Sequence, residues 1–306
     1  MKLVTFTASG RTAIGAVTNG VVFDLGTLAP GLPSTMRGFL DAGAPALAHA
    51  RDSLARARGG LSLDEVRLEA PVPNPRKFLG LGGNTRSHLA EVQAAGVPIR
   101  HSPHQTWFNK QVTCVAGPRD DIHMPAMSRE LDYEGEMAMV IGTRCRNVAI
   151  EDALDVVAGY MACNDVSVRD WQLRAPTATL GKSFDTHGPT GPWIVTADEI
   201  ADPHQLSIKA WVNGELRMDG GTHEFLHGCR EMIAELSSVF TLEPGDILTT
   251  GSPAGVGALM KPPRFLEIGD VVRVEVGGVG WIENRVVEAP AGYLYRSPLR
   301  PGGGSP

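Results

Sequence analysis

The chain alternates short apolar and polar runs separated by turn residues, a pattern typical of β-strands. Near the amino end it predicts three strands, the last after an Asn19-Gly20 turn: Leu3–Phe6, Ala13–Val17 and Val21–Leu25. Residues 36–58 are instead rich in alanine with spaced arginines, which favours helix. Prolines at positions 71, 73 and 75 follow. We expect them to separate a small N-terminal β-rich domain, residues 1–72, from a main domain, residues 73–295.

Strands also dominate the main domain. The apolar run Met137–Ile141 predicts a buried strand, and a glycine turn at residues 80–83 precedes a short helix. Because strands predominate and do not alternate regularly with helices, the pattern predicts a β-rich α+β fold, with a mixed β-roll or barrel in the main domain. We expect a disordered tail at residues 296–306. Two further helices are expected, at residues 151–160 and from Thr222 or His223 to about Phe240.

Composition and charge narrow the class of protein. The net charge of −6 offers no attraction to nucleic acid or anionic membranes. No apolar run approaches the length of a membrane span, and the first residues lack the apolar core of a signal peptide. The four cysteines are widely spaced without a C-x-x-C pair, so we expect reduced thiols in a cytoplasmic protein.

Two carboxylates precede the predicted buried strand. Glu134 and Glu136 are two residues apart and would project to the same face, where they repel unless a proton, solvent or a cation intervenes. Asp165 follows another short apolar run, and a neighbouring strand could bring it beside the pair. Three carboxylates would form an all-oxygen site suited to Mg²⁺, Mn²⁺ or Ca²⁺. The alternative for the pair is a solvated strand edge.

Other polar residues have weaker individual patterns. His88 and Glu91 lie three apart on the short helix, as in a base and its orienting carboxylate, or as in an ordinary exposed pair. Arg169 and Lys182 could neutralise an anionic substrate, or be surface charges. The turn at residues 250–257 contains Ser252 and could bind a carboxylate, although it lacks the G-x-S-x-G pattern of a serine hydrolase.

A competing motif lies at residues 223–227. The string H-E-F-L-H matches the H-E-x-x-H pattern of zinc peptidases, with His223 and His227 as ligands on one helix. The extended H-x-x-G-x-x-H form fails, because positions 230 and 233 are Arg230 and Ile233. We retain a zinc peptidase as a distant alternative.

Several strings taken together resemble the fumarylacetoacetate hydrolase family. They occur in the family's order between about residues 75 and 290: L-D-Y-E-G-E at 131–136, A-G-Y-M-A-C-N-D-V-S-V-R-D-W-Q at 158–172, G-K-S-F-D at 181–185, G-P-W-I-V-T at 191–196, L-x-P-G-D at 242–246 and G-S-P-A-G-V-G at 251–257.

The resemblance implies a β-rich catalytic fold, a homodimer, and a site for Mg²⁺ or Mn²⁺. It also implies roles for individual residues. Ser252 stands where many members have threonine, so a hydroxyl is kept. By position, the metal ligands are Glu134, Glu136 and Asp165, the water-activating dyad is His88 with Glu91, the stabiliser of developing oxyanion charge is Lys182, and the substrate contacts are Arg169, Gln172 and Ser252.

The resemblance leaves the reaction open. We expect first a hydrolase that cleaves a C–C bond of an acylpyruvate or similar 2,4-diketo acid, with His88 activating water. Decarboxylation or isomerisation of an oxo-dicarboxylate is the alternative, because all three reactions pass through an enolate. The partner is thus a small keto acid, with no nucleic acid and no membrane. We expect substrate specificity to lie in the loop 95–110, which contains His101, His104, Trp107 and Phe108.

Overall fold

The computed structural model describes residues 1–96 and 104–290. The predicted contribution of His101 and the predicted tail at residues 296–306 lie outside these ranges. Within the described residues, no helix is both long and apolar enough to cross a membrane.

The described chain forms short strands throughout. They are β1 Lys2–Ala8, β2 Arg11–Thr18, β3 Val21–Asp24, β4 Leu61–Ser62, β5 Arg67–Leu68, β6 Phe78–Gly82, β7 Thr106–Lys110, β8 Val115–Ala116, β9 Ile122–Met124, β10 Leu131–Asp132, β11 Gly135–Ile141, β12 Val157–Asn164, β13 Ser167–Val168, β14 Gly188–Thr196, β15 Ser207–Val212, β16 Glu215–Gly221, β17 Ile247–Thr249, β18 Val271–Val276 and β19 Gly280–Glu288.

The helices are few and mostly short. They are α1 Leu25–Leu28, α2 Met36–Asp41, α3 Gly43–Ala55, α4 Arg86–Ala94, α5 Arg169–Gln172 and α6 Cys229–Val239. Short 3₁₀ helices of one or two turns occur at Leu63–Glu65, Val112–Cys114, Ile150–Val156, Thr179–Lys182, Ala197–Glu199, Thr222–Glu224 and Gly257–Leu259.

Two mixed sheets enclose the main core. The larger has the order β4-β3-β2-β1-β14-β12-β11-β17-β6-β7, and the smaller has the order β16-β15-β18-β19-β9. Apolar side chains of β11 and β12 pack against those of β15 and β18 between the sheets. The predicted strand-rich α+β fold is confirmed, and within the described residues the larger sheet has two free ends rather than closing into a barrel.

The N-terminal segment is continuous with the rest of the larger sheet. Strand β1 pairs antiparallel with β14, with Leu3 opposite Ile194. A single apolar cluster contains Phe39 of α2 together with Val140 and Met161 of the central strands. Strand pairing and the apolar core thus both extend across residue 72. The division into two domains at that residue stays a prediction.

Two predicted helices are wrong in extent. Residues 151–160 form a 3₁₀ turn and then enter β12, whose pairing with β11 outweighs the local helical pattern. The helix expected from Thr222 begins only at Cys229, because the backbone N–H groups of Leu226 and His227 bond to the backbone and side-chain oxygens of Asn84. These bonds keep the segment between the 3₁₀ turn and α6 out of helix.

Candidate metal centre

The pairing of β11 with β12 assembles three carboxylates at one end of the central strands. Gly135 lies opposite Asn164, and the backbone N–H of Asp165 donates to the carbonyl of Glu134 at 2.9 Å. Ligand oxygens of Glu134, Glu136 and Asp165 all lie within 4.8 Å of one another, and the three side chains are buried. The structure thus brings together the three residues that the sequence suggested as metal ligands.

Two buried lysines contact these carboxylates. Lys182 Nζ donates to Glu134 Oε2 at 2.8 Å and to Asp165 Oδ2 at 2.6 Å. Lys110 Nζ donates to Asp165 Oδ1 at 2.6 Å and also to the backbone carbonyl of Lys182. The Phe108 ring lies 4.9 Å from Lys182 Nζ, so this residue of the predicted specificity loop borders the site. Each lysine forms an ion pair with a buried carboxylate, whose charge would destabilise the fold if it were unpaired.

Arg169 supports the site from the other side. Its guanidinium donates to Asp132 Oδ2, to Glu134 Oε1 and to Gln172 Oε1, the last at 3.0 Å. Asp132 is fully buried and also accepts the backbone N–H groups of Gly257 and Ala258 at 2.8 and 3.0 Å. The guanidinium therefore fixes Glu134 in place, and the predicted contacts of Arg169 and Gln172 with substrate stay predictions.

The surroundings shift the pKa values of Glu134 and Glu136 in opposite directions. Burial alone would raise the pKa of Glu134, but the positive charges of Lys182 and Arg169 outweigh it and hold that pKa well below its usual range. Burial raises the pKa of Glu136 well above its usual range, and the negative charges of Asp165 and Glu134 raise it further. The N–H of Gly251 donates to Glu136 Oε2 at 2.7 Å but brings no full charge.

A hard divalent cation fits this donor set. Glu134, Glu136 and Asp165 offer oxygens alone, which suits Mg²⁺, Mn²⁺ or Ca²⁺. Without a cation, the surroundings of Glu136 disfavour its ionised form. A cation among the three oxygens would favour that form instead. We conclude that the residues present match such an ion.

The predicted dyad lies on α4, next to the carboxylates. Thr85 caps this helix, and its hydroxyl accepts the N–H of His88 at 3.3 Å. His88 Nδ1 lies 3.2 Å from Glu91 Oε2, and Glu91 Oε1 accepts the N–H of Gly255 at 3.0 Å. Since the carboxylate accepts, Nδ1 donates and Nε2 is left as the basic nitrogen. A positive charge on the ring would help to lower the pKa of Glu134, so His88 lies near the ligands.

The turn after β17 closes the same site. Gly251 supplies the N–H that Glu136 accepts, and the next residue, Ser252, is buried. Thr85 Oγ1 donates to the carbonyl of Ser252 at 2.7 Å, which fixes the turn against the start of α4. Ser252 is therefore held beside both the dyad and a metal-ligand candidate, while its predicted contact with a substrate carboxylate stays a prediction.

The alternative zinc site does not form. His223 lies in a 3₁₀ turn and His227 in the following irregular segment, so they do not share the helix face that H-E-x-x-H requires. In the described parts of the chain, Glu134, Glu136 and Asp165 form the one group of histidine, cysteine or acidic residues close enough to hold a metal.

Sequence reasoning missed two charged residues of the site. Lys110 is the last residue of the short strand β7. The sequence around it gives no sign that the lysine side chain is buried. Asp132 lies within the string L-D-Y-E-G-E, but the pattern by itself assigns it no role. The signal that could have found it is its position two residues before Glu134, on the same face of an extended segment.

Comparison with known proteins now decides the family. The family model described as "Fumarylacetoacetate (FAA) hydrolase C-terminal" matches residues 77–287. The chain belongs to the fumarylacetoacetate hydrolase family. Its members include a mitochondrial oxaloacetate tautomerase (fahd2) of Xenopus laevis, 41% identical over 293 residues, which cover 94% of this chain and 90% of that protein.

Solved structures of the family show different reactions on one fold. Maleylpyruvate hydrolase from Sphingobium sp. SYK-6, in complex with manganese(II) and pyruvate, is 32% identical with a TM-score of 0.79, covering 95% of this chain and all of that one. A 5-carboxymethyl-2-hydroxymuconate delta-isomerase from Mycobacterium smegmatis is 29% identical with a TM-score of 0.74, covering 94% of this chain and all of that one. Membership shows that this protein belongs to an enzyme family, without fixing the reaction.

Proposed function

We propose that this protein is a divalent-metal-dependent tautomerase, which interconverts the keto and enol forms of oxaloacetate or a similar oxo-dicarboxylate. The observation that carries the metal and proton chemistry is the buried group Glu134, Glu136 and Asp165 with the His88–Glu91 pair beside it. The choice of tautomerisation is supported by the relative named oxaloacetate tautomerase, which matches 94% of this chain.

The charge of the site suits an anionic substrate. Around the metal-ligand candidates, and apart from the His88–Glu91 pair, four buried carboxylates face three cations, so one negative charge remains when all are ionised: Glu134, Glu136, Asp165 and Asp132 face Lys110, Lys182 and Arg169. A divalent cation would change this balance to one positive charge. An oxo acid, which offers a carboxylate and a neighbouring carbonyl oxygen, complements that charge.

The residues around the site can move the proton that tautomerisation requires. When bound, the divalent cation would polarise the substrate carbonyl and lower the cost of negative charge on its oxygen. His88 Nε2 then takes a proton from the carbon next to the carbonyl, while Glu91 holds the ring and stabilises its positive charge. Return of that proton to the carbonyl oxygen gives the enol, so no water is consumed. Lys182 supplies fixed positive charge throughout.

Hydrolysis of a C–C bond in an acylpyruvate is the second candidate. The same base could remove a proton from water instead of carbon, and the structure of maleylpyruvate hydrolase with manganese and pyruvate favours this chemistry in a relative. The two functions differ in outcome, because hydrolysis yields two acids and tautomerisation keeps the carbon skeleton intact. Mg²⁺ and Mn²⁺ are both proposed as the metal.

The test is to mix the enol form of oxaloacetate with the protein and follow the loss of enol absorbance. With Mg²⁺ present we expect acceleration above the rate with Mg²⁺ alone, no acceleration after chelation, and intact oxaloacetate by mass. His88→Ala should return the rate to that of Mg²⁺ alone. Absence of acceleration with the metal bound would exclude the tautomerase, and cleavage of acylpyruvates into two acids would favour the second candidate.

Two further expectations stay predictions. The resemblance implies a homodimer, and the reduced cysteines suggest a cytoplasmic location, although the Xenopus relative is named as a mitochondrial protein. The family relationship is consistent with a small-molecule substrate.

A further inference from the structure

The Glu91 carboxylate is held by the N–H of Gly255, and the carbonyl of Gly255 is held in turn by Tyr133, between β10 and β11. Glu91 Oε1 accepts the N–H of Gly255 at 3.0 Å, and the hydroxyl of Tyr133 donates to the carbonyl of the same glycine at 2.7 Å. Tyr133 directly precedes Glu134 in the chain. One tyrosine thus connects the segment that supplies a metal-ligand candidate to the residue that orients His88.

The contact matters because Gly255 has no side chain to fix its backbone. Its φ is +117°, and a Cβ at this position would meet the carbonyl oxygen of Arg217 at 2.0 Å, so only glycine fits. Glycine has wide conformational freedom, and its two flanking peptide groups must be oriented by external contacts. The Tyr133 hydroxyl orients one of these groups, and the other presents its N–H to Glu91.

Tyr133 is itself rigidly placed. The side chain is fully buried, and the guanidinium of Arg217 lies 6.0 Å from its ring centroid. A tyrosine hydroxyl is protonated at physiological pH, so it remains a donor to the carbonyl of Gly255. The ring therefore holds a protonated hydroxyl at a fixed position.

We propose that Tyr133 is a positioning residue, which acts through Gly255 to hold Glu91 where it fixes the Nδ1–H tautomer of His88. Only the expected effect on the reaction rate rests on the proposed function. The tautomer is a property of the protein without substrate, and it leaves Nε2 free to accept a proton. Loss of the hydroxyl should let Glu91 move away from Nδ1 without changing the metal ligands.

The test compares Tyr133→Phe with Tyr160→Phe. Tyr160 is also buried, and the ionisable groups that influence its hydroxyl, Cys229, Arg230 and Asp202, are not among the residues of the candidate site. The tautomer of His88 is read from nitrogen NMR of histidine-labelled protein, with His88→Gln used to assign the signal. We expect a smaller Nδ1–H fraction in Tyr133→Phe, the wild-type fraction in Tyr160→Phe, and unchanged Mn²⁺ affinity in both.

Kinetics supply an independent measurement. Tyr133→Phe should lower kcat by roughly three- to tenfold, the effect of one hydrogen bond, with KM unchanged. In a Glu91→Gln background the same substitution should have little further effect, because both changes act through one path. A wild-type tautomer fraction in Tyr133→Phe, or additive effects on kcat, would overturn the proposal. If the wild type shows no tautomerase activity, the proposed function fails while the NMR comparison still decides the role of Tyr133.

Discussion

At the scale of single residues, the three carboxylates have unequal roles before any metal binds. Glu134 is already neutralised by Lys182 and Arg169, and Asp165 is paired with Lys110 and Lys182. Among the residues that the structure describes, Glu136 forms no ion pair, and its ionisation is opposed by burial and by its two acidic neighbours more than the more distant charge of Lys182 favours it. Binding of a divalent ion would therefore stabilise the ionised form of Glu136 more than that of the other two carboxylates. The lysines already offset the repulsion between Glu134 and Asp165.

Asp165→Asn should weaken binding of Mn²⁺ by roughly 100-fold, because it replaces a charged ligand by a neutral one of the same shape. Calorimetric titration of Mn²⁺ measures this directly. Asp219→Asn is the matched control, since Asp219 is exposed on β16 and pairs with Lys209 away from the site. Equal Mn²⁺ affinity in Asp165→Asn and the wild type would mean that Asp165 is not a ligand.

His187 predicts a pH dependence of stability. Burial lowers its pKa to about 3, and Nε2 donates to the carbonyl of His123 at 2.8 Å. The unfolded chain binds a proton at this residue below about pH 6.5 and the folded chain does not, so its contribution is present above pH 6.5 and lost as pH falls towards 3. We expect urea unfolding to show wild type losing about 1–2 kcal/mol more than His187→Gln between pH 7 and 5.

Because every other ionisable group is common to both proteins, the difference between wild type and His187→Gln isolates this one group. Identical dependence of unfolding free energy on pH in the two proteins would show that His187 is protonated in the folded state, or does not titrate differently on unfolding.

Residue types and spacing predicted part of the candidate site. The i, i+2 spacing of Glu134 and Glu136 and the i, i+3 spacing of His88 and Glu91 each define a shared face, so local geometry was sufficient. Lys110 could not be predicted, because its role in the site comes from its ion pair with Asp165, which follows the distant strand β12. Burial of a lysine depends on a partner that only the tertiary structure supplies.

At the scale of elements, α6 shows how a local pattern can mislead. Helical periodicity extended back to Thr222, but Asn84 takes the backbone N–H of His227 and prevents the helix from reaching the histidines. The sequence could not reveal this contact, since Asn84 lies more than a hundred residues away. The strands were easier, because apolar runs such as Met137–Ile141 are predictable without knowing their partners.

His223→Ala should leave Mn²⁺ affinity and activity at the level of wild type. The reason is that His223 lies on an exposed 3₁₀ turn, separated from His227 by a non-helical segment. Metal titration and the enol absorbance assay measure both quantities, with Glu134→Ala as the comparison that should lose them. Loss of metal from His223→Ala with retention in Glu134→Ala would instead restore the zinc-site alternative.

At the scale of the whole molecule, the N-terminal segment and the main sheet form one structure. The apolar cluster that includes Leu3 and Phe39 also includes Val140, Met161 and Ile194 from the centre of the sheet. Strand class and overall fold were predictable from the abundance of short apolar runs. Strand order was not, because the pairing of β1 with β14 joins residues almost two hundred positions apart.

A fragment comprising residues 73–306 should be much less stable than the full chain. Removing the first 72 residues would expose the edge of β14 and the apolar side chains that face Leu3 and Phe39. We expect aggregation, or a melting temperature lowered by more than about 10 °C, because several apolar side chains would lose their burial. A soluble fragment with the melting temperature of the full chain would support independent domains divided at residue 72.

The central claim is that His88 moves a proton on an oxo-dicarboxylate at a site that requires a divalent metal. The most direct measurement is proton NMR of oxaloacetate in deuterated water with Mg²⁺, which follows exchange of the hydrogens next to the carbonyl. We predict that wild type accelerates exchange above Mg²⁺ alone, and that His88→Ala and chelated wild type do not. Equal exchange rates for wild type and His88→Ala, with metal bound to both, would contradict it.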